Sequence, residues 1–167
     1  MRQLWAPWRM EYLDDPDDPP VEGDDETCIL CAIAALDHPQ SAHVVERRAL
    51  TYTVLNRYPY SSGHLMVVPL RHVPHITDLD DAEAAAVMLG AQRAVRAIEA
   101  AYSPAGFNLG INHGRAAGAG IHEHVHLHVV PRWQGDTNFM PVLADVRVMP
   151  EHLDRSAERL RAAYEAL

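Results

Sequence analysis

The stretch His122-Glu-His-Val-His-Leu-His-Val-Val-Pro131 decides how this sequence folds. Histidine occupies every second position from His122 to His128, and the residues between are apolar from Val125 onward. Residues two apart in a β-strand share a face and lie about 6.6 Å apart, so the pattern predicts a strand over 123–130 with its imidazoles in a row. Crowding such polar rings together is costly unless the rings bind something. They are either metal ligands or a nucleophile with supporting rings.

The rest of the chain supplies the other elements of one sheet and its helices. Enrichment in Val, Thr and Tyr, together with alternation, predicts strands over 43–46, 50–57, 64–69 and 107–112. Helical spacing predicts helices over 28–36, 80–102 and 150–167. In the long helix, Asp80 and Glu83 have the spacing of a capping box. Its predicted core stripe is Val87, Met88, Ala91, Val95, Ile98 and Tyr102. These elements predict an α+β fold, with a largely antiparallel sheet of about five strands, a long helix and shorter helices.

Composition and charge exclude several classes of function. The 167 residues suit one domain with a sizeable core. The net charge of −9 argues against nucleic acid as a partner, because nucleic-acid binding depends on neutralising phosphates. All 14 basic residues are arginine, which removes chemistry that needs a catalytic lysine. No apolar run approaches the roughly 18 residues of a membrane span, and residues 1–13 lack the features of a signal peptide, so we expect a cytoplasmic protein without a membrane partner.

Both cysteines lie in one motif, Cys28-Ile-Leu-Cys31. The residues alone leave three interpretations open for this motif. It is a redox dithiol, a reduced structural pair, or half of a zinc site that needs two further ligands, and the chain has 11 histidines to offer. The acidic, proline-rich stretch 14–26 that precedes it is typical of a solvated loop.

Several stretches of this sequence resemble one known family. The segment 124–130 is similar to the His-φ-His-φ-His-φ-φ motif, where φ is apolar, of the histidine triad (HIT) superfamily of nucleotide hydrolases and transferases. The segments 55–69 and 106–112 resemble two further family stretches in the same order. The flanks 4–13 and 131–142 are similar to bacterial diadenosine tetraphosphate phosphorylases within that superfamily. The resemblance implies a HIT-like fold with three parts: an N-terminal segment with an acidic loop (1–27), a HIT domain (28–140) and a C-terminal extension with a helix (141–167).

The resemblance also implies a covalent mechanism. The middle histidine of the motif, His126, would attack the α-phosphorus of a nucleotide or dinucleoside polyphosphate and form a nucleotidyl-histidine intermediate. His128 and His64 would stabilise the charge of the transferring phosphoryl group. Asn56 matches a nucleotide-contacting asparagine, and Asn112 a phosphate-contacting one. The glycine-rich loop before the histidines is expected to cradle phosphate with the backbone N–H groups of Gly118, Ala119 and Gly120.

The same resemblance completes the cysteine motif. Some histidine triad proteins and the related galactose-1-phosphate uridylyltransferases use a CxxC pair, a histidine after the strand that matches 64–69, and the first histidine of the triad. Carried over to this sequence, the zinc ligands are Cys28, Cys31, His72 and His124, with His75 as the alternative to His72. Four protein ligands leave no open position, so the zinc would be structural. No organic cofactor is expected.

Inorganic phosphate is the expected acceptor of the transferred nucleotidyl group. Dinucleoside-polyphosphate hydrolases of the family carry Gln four residues before the first triad histidine, and this chain has Gly120 there. The expected reaction is therefore phosphorolysis of a dinucleoside polyphosphate such as diadenosine tetraphosphate. Two alternatives stay open: a family hydrolase that releases AMP, and a zinc- or nucleotide-binding module without turnover. A homodimer is expected from the resemblance alone, and His122 receives no role.

Overall fold

A computed structural model describes residues 28–136 and 151–167. The strands and α-helices in these ranges are, in chain order, α1 (Ile29–Ala34), β1 (Val44–Arg47), β2 (Thr51–Leu55), β3 (Leu65–Pro69), α2 (Asp81–Tyr102), β4 (Gly106–Gly110), β5 (Leu127–Arg132) and α3 (Leu153–Glu165). The predicted N-terminal segment with its acidic loop (1–27) and the stretch 137–150 lie outside the described residues. Among the helices in the described ranges, none is long and apolar enough to cross a membrane.

The strands form one antiparallel sheet in the order β1-β2-β3-β5-β4. Its central part is covered on both faces, because every residue of β2 and β3 is buried. Successive residues of β3 alternate between two cores. Leu65 and Val67 pack with α2 and α3, whereas Met66 and Val68 pack with α1. The predicted α+β architecture with a largely antiparallel sheet is confirmed.

The capping box predicted for α2 is present at the start of the helix. The Asp80 carboxylate accepts the Glu83 backbone N–H at 2.8 Å, and the Glu83 carboxylate accepts the Asp80 N–H at 3.0 Å. Each side chain thus satisfies a backbone donor that the first turn of a helix leaves unpaired. Glu83 also accepts a hydrogen bond of 2.8 Å from Arg71, which ties the end of β3 to the helix.

Small residues decide which face of α2 meets the sheet. A Cβ on Gly90 would lie only 2.7 Å from Val67 Cγ1, so helix and strand are already in close contact there. Two positions along a helix are about 200° apart, so this contact turns Met88 away from the sheet. The prediction that Met88 enters the core is therefore wrong, and its side chain is 52% exposed. Other members of the predicted stripe are buried, namely Val87, Ala91 and Ile98.

β5 begins at Leu127, so the prediction of a strand over 123–130 is wrong at its start. The register between β3 and β5 ends at the pair Val67–Leu127, and its continuation would set Pro69 opposite Val125. Proline has no N–H to donate, so the ladder with β5 does not extend to this position. The Val125 N–H instead donates to the Val73 carbonyl, beyond the end of β3, at 2.7 Å. The chain before β5 is therefore held by contacts that lie outside the sheet.

Alternation along β3 and β5 determines where the histidines lie. His128 is paired with Met66, while Leu127 points into the core beneath α2. His64 directly precedes Leu65, which faces the same core, so His64 lies on the Met66 side of the sheet. The imidazoles of His64 and His128 thus share the sheet face opposite α2.

Replacing Gly90 with alanine tests the close packing of α2 on β3. Alanine is the better helix former by about 1 kcal/mol, but its methyl group must displace the buried Val67, and such overpacking typically costs about 1–3 kcal/mol. We expect Gly90→Ala to lower the free energy of unfolding measured by urea denaturation. In a Val67→Ala background Gly90→Ala should instead raise the free energy of unfolding, because the Val67 methyl groups that obstruct the new side chain are gone. A gain in stability in the wild-type background would contradict the observed contact.

Candidate active site and metal site

Four potential metal ligands from distant parts of the chain converge at one point. Their ligand atoms all lie within 4.8 Å of one another, and they belong to Cys28, Cys31, His72 and His124, which we call the Cys/His cluster. His124 Nδ1 is 3.4 Å from each cysteine Sγ. His72 Nδ1 is 3.3 Å from Cys31 Sγ. These are the residues expected from the family resemblance, and they are positioned to bind a metal ion.

The distances within the Cys/His cluster suit tetrahedral coordination. Bonds of about 2.3 Å to sulfur and about 2.1 Å to nitrogen separate the sulfur and nitrogen atoms of a tetrahedral site by about 3.6 Å. The observed separations of 3.3 and 3.4 Å are close to that value. His124 Nε2 donates to the Pro69 carbonyl at 3.0 Å, so its Nδ1 carries the lone pair that faces the cysteines.

Tyr52 on β2 anchors the cysteine motif to the sheet. Its hydroxyl donates to the Leu30 carbonyl, between the two cysteines, at 2.7 Å. Burial, followed by the effect of nearby Cys28 and Cys31, raises the pKa of the Tyr52 phenol well above its ordinary value. The hydroxyl therefore keeps its proton and remains a donor to the motif.

The structure distinguishes between the two histidines offered as the third ligand. His72 belongs to the Cys/His cluster, whereas His75 Nδ1 forms a hydrogen bond of 2.7 Å with His113 Nε2. His72 is therefore the ligand candidate that the geometry supports. His122, which received no role from the sequence, is half-buried, with 3.6 Å between its Nδ1 and the Glu123 carboxylate.

His126 is held in one orientation by the backbone. Its Nδ1 lies 2.8 Å from the His124 carbonyl oxygen, which can only accept, so Nδ1 carries the hydrogen and Nε2 the lone pair. The residue is 5% exposed, and this burial lowers the pKa of His126, with partial opposition from the hydrogen bond to the His124 carbonyl. A neutral imidazole with an unprotonated Nε2 can act as a nucleophile without a separate base.

His126, His128 and His64 form a continuous group, which we call the ring group. The centroids of His126 and His128 are 4.8 Å apart, and those of His128 and His64 are 5.1 Å apart. His64 Nδ1 accepts the Tyr60 backbone N–H at 3.1 Å, so the hydrogen of neutral His64 lies on Nε2. This Nε2 is 3.0 Å from His128 Nδ1, which then accepts, so His128 carries its own hydrogen on Nε2. The structure brings the three predicted catalytic histidines together.

The two predicted substrate-contacting asparagines differ in their relation to the ring group. Asn56 lies beside His64, with 3.5 Å between Asn56 Nδ2 and His64 Nδ1. Its Oδ1 accepts the Tyr58 N–H at 2.9 Å, which ties down the start of the turn before His64. Asn112 is half-buried two residues after the end of β4. Its role stays a prediction.

The glycine-rich loop offers fewer amide donors than the sequence predicts. The Gly118 N–H donates to the Arg115 carbonyl at 2.9 Å and is therefore engaged within the turn. The N–H groups of Ala119 and Gly120 donate to no other backbone group within residues 28–136 and 151–167. Ala119 is buried and Gly120 is half-buried. Because the described backbone does not engage their N–H groups, these two amides are better candidates than Gly118 for contact with phosphate.

Reasoning from the sequence missed two residues that shape the site. Tyr60 lies in a segment predicted only as a turn, yet its ring stacks on His64, with centroids 5.0 Å apart and planes at 18°. Pro69 provides the carbonyl that orients His124. An aromatic residue four positions before a site histidine is the signal that could have indicated Tyr60. No sequence pattern marks a single backbone carbonyl such as that of Pro69.

Comparisons with known proteins agree with this geometry. The sequence model of the HIT domain family matches residues 38–135. The AP-4-A phosphorylase of Mycobacterium tuberculosis is 43% identical over 166 residues, which cover 97% of this chain and 83% of that protein. The asymmetrical bis(5'-nucleosyl)-tetraphosphatase of Schizosaccharomyces pombe is 33% identical over 98 residues, which cover 59% of this chain and 53% of that protein.

Solved structures share the fold. A zinc-bound histidine triad family protein from Mycobacterium smegmatis has a TM-score of 0.70 at 30% sequence identity, over 86% of this chain and 96% of that one. A uridylyltransferase has a TM-score of 0.64 at 16% identity, over 83% of this chain and 45% of that one, and is similar in fold alone. The expected HIT-like fold is confirmed.

Elemental analysis of the purified protein is expected to find about one metal ion per chain, because the Cys/His cluster offers one site with four ligands. His72→Ala should lower the metal content and the free energy of unfolding, since binding to the remaining ligands is weaker and metal binding contributes to folding. His75→Ala is the matched control: its ring is nearby in sequence but bonded to His113, so the metal should stay. Metal-free wild-type protein, or the reverse effect of the two variants, would contradict the assignment.

Proposed function

The chain belongs to the HIT domain family, and from this membership and the geometry of its histidines we propose that it cleaves dinucleoside polyphosphates through a nucleotidyl-histidine intermediate on His126. The observation that carries the proposal is the 2.8 Å hydrogen bond between His126 Nδ1 and the His124 carbonyl. It leaves the lone pair on Nε2 of a buried, neutral ring. A module that only binds nucleotide has no need of a nucleophile oriented in this way.

The first step forms the covalent intermediate. The lone pair on His126 Nε2 attacks the α-phosphorus, a P–N bond forms, and the bond from this phosphorus to the bridging oxygen breaks. The leaving polyphosphate departs with that electron pair. The imidazole becomes positively charged as the P–N bond forms, and its Nδ1–H keeps the hydrogen bond to the His124 carbonyl, whose partial negative charge stabilises the cation. In the second step an acceptor oxygen attacks the same phosphorus and releases His126.

His128 supports both steps as a hydrogen-bond donor. Its hydrogen lies on Nε2 because its Nδ1 accepts from His64, and its ring is adjacent to that of His126. A fixed donor beside the attacked phosphorus stabilises the charge that develops on the phosphoryl oxygens. Asn56 and Asn112 are proposed to contact the nucleotide and its phosphates, as the matching family residues do.

Inorganic phosphate is the proposed acceptor. The relative named AP-4-A phosphorylase, at 43% identity over almost the whole chain, supports this choice. Gly120 stands where family hydrolases carry Gln, and the Ala119 and Gly120 amides offer donors without a long side chain in the way. With diadenosine tetraphosphate, a phosphate oxygen attacks the adenylyl phosphorus, breaks its bond to His126 and yields ADP, while ATP is the product of the first step.

The metal of the Cys/His cluster is proposed to be zinc. The donor set of two thiolates and two imidazoles is typical of structural zinc sites, and four protein ligands leave no position for substrate. When bound, zinc would therefore supply rigidity rather than Lewis-acid catalysis. The zinc-bound relative from Mycobacterium smegmatis supports the choice of ion.

Hydrolysis is the second candidate activity. The relative from Schizosaccharomyces pombe, named as an asymmetrical tetraphosphatase, favours it. Water would then attack the same intermediate, and the products from diadenosine tetraphosphate would be AMP and ATP. Both candidates use His126 in the same way, so only the acceptor separates them.

A homodimer and a cytoplasmic location complete the proposal. Met88 and Leu89 on α2 are 52% and 58% exposed, and Leu109 on the edge strand β4 is 48% exposed. A second copy of the chain could cover these apolar side chains and pair with β4 at the edge of the described sheet. Sedimentation of the purified protein would measure the mass of the assembly.

Substitution of the nucleophile tests the mechanism. We expect His126→Ala to lower kcat on diadenosine tetraphosphate about 10³-fold or more, because the covalent route is lost, while nucleotide binding is largely retained. Mass spectrometry of the wild-type protein with substrate should detect an adenylyl adduct that the variant lacks. His122→Ala, from the same histidine-rich segment, is the matched control and should turn over normally. Near-normal activity of His126→Ala would refute the mechanism.

Product analysis tests the acceptor. We expect diadenosine tetraphosphate turnover to depend on added phosphate and to yield ADP and ATP, as separated by chromatography. Gly120→Gln should shift the products toward AMP, because the side chain would fill the acceptor space and could orient water. Ala117→Gln, at an exposed position of the same loop, should leave the product ratio unchanged. AMP as the main wild-type product at millimolar phosphate would identify an ordinary hydrolase.

A further inference from the structure

Tyr60 contacts His64 in two independent ways. Its backbone N–H donates to His64 Nδ1 at 3.1 Å. Its ring lies nearly parallel to the imidazole, at 18°, with centroids 5.0 Å apart. His64 itself is fully buried, whereas Tyr60 is 38% exposed. One residue therefore both bonds the imidazole edge and stacks on an imidazole face.

The hydrogen bonds of His64 and His128 allow only one arrangement of their hydrogens. In a neutral pair, either His64 Nε2 donates to His128 Nδ1, or His128 Nδ1 donates to His64 Nε2. The second arrangement would put a hydrogen on His64 Nδ1, where the Tyr60 N–H already points. The Asn56 amide nitrogen, 3.5 Å from the same Nδ1, is also a donor. Two donors at Nδ1 select the first arrangement, in which His128 carries its hydrogen on Nε2.

We propose that Tyr60 is a positioning residue, which fixes the hydrogen of His64 on Nε2 and thereby makes His128 a donor toward the transferring phosphoryl group. Its backbone N–H selects the form of His64, and its ring, stacked on the imidazole, helps to hold this N–H at His64 Nδ1. Without the stacked ring the backbone N–H can move away from Nδ1 and admit water. Water can either donate or accept, so its entry would remove the selection that a donor alone imposes. The consequence of this inference for catalysis rests on the proposed function.

The turn that carries Tyr60 is built to hold this contact. Gly63 has φ of +80°, and a Cβ at this position would lie 3.0 Å from the Tyr102 ring. The Ser61 hydroxyl donates to the Pro131 carbonyl at 2.8 Å, which fastens the turn to the end of β5. The turn is thus tied to elements on either side, and the Tyr60 N–H has a defined position before substrate binds.

Side-chain nitrogen NMR of the purified, metal-loaded protein tests the inference without substrate, since protonated and unprotonated ring nitrogens have well-separated shifts. We expect the hydrogen on Nε2 in both His64 and His128, and on Nδ1 in His126. In Tyr60→Ala the signals of His64 and His128 should indicate a mixture of both forms. A hydrogen on His64 Nδ1 in the wild type, or unaltered ring signals in Tyr60→Ala, would overturn the inference.

Kinetics provides the second test. Tyr60→Ala should lower kcat about tenfold with little change in KM, less than the roughly 10²–10³-fold cost of removing such a donor outright. Tyr60→Phe, which keeps the ring and the N–H, should restore most of the rate. Tyr58→Ala, an exposed tyrosine in the same turn whose ring contacts Arg57, is the matched control. A Tyr60→Ala rate equal to that of this control would refute the positioning role. Absence of any wild-type turnover would instead reject the proposed function and leave the NMR result to decide the inference.

Discussion

His124 is the residue on which the rest of the site depends, because it is bound in three directions at once. Its Nδ1 faces Cys28 and Cys31, and its Nε2 donates to the Pro69 carbonyl. Its own carbonyl accepts from His126 Nδ1. The first two contacts fix the peptide that presents this carbonyl, and the third transmits that rigidity to His126, the proposed nucleophile. In the proposed mechanism a metal in the Cys/His cluster would therefore act on catalysis through orientation, because the ring of His126 bonds the backbone of one of the metal's ligands.

The end of one strand makes this arrangement available. Pro69 cannot donate to a continued ladder with β5, so its carbonyl remains for the His124 side chain, and Val125 bonds to Val73 instead. Had the ladder continued, the chain before Leu127 would lie flat in the sheet, with its imidazoles in a parallel row. Because the segment before Leu127 leaves the sheet, the ring of His124 can enter the Cys/His cluster while the ring of His126 joins the ring group. Two sites are thereby built from neighbouring residues of the same segment.

The family resemblance and local spacing made part of this structure predictable from sequence. The resemblance assigns two cysteines and two histidines to one metal site, and the capping box at Asp80 follows from its spacing. Tertiary packing decided what the sequence could not indicate. The contact of Gly90 with Val67 rotates α2 and exposes Met88, the lost ladder at Pro69 shortens β5, and the turn engages the Gly118 N–H. Tyr60 was missed because its stacking partner becomes its neighbour only when the turn folds.

The site also explains how an acidic chain without lysine could handle polyphosphate. The donors proposed for it among the described residues are uncharged: the Nε2–H of neutral His128, backbone amides of the glycine-rich loop, and asparagine. Cationic side chains would stabilise bound polyphosphate and the transition state alike, whereas a donor fixed beside the attacked phosphorus acts most strongly where charge develops. Such a donor helps only if its hydrogen already points toward the phosphoryl group. A neutral imidazole can carry that hydrogen on either nitrogen. Uncharged imidazole donors therefore require that each ring be fixed. Here the backbone fixes them: the His124 carbonyl orients the proposed nucleophile His126, and the Tyr60 N–H, through His64, orients the proposed donor His128.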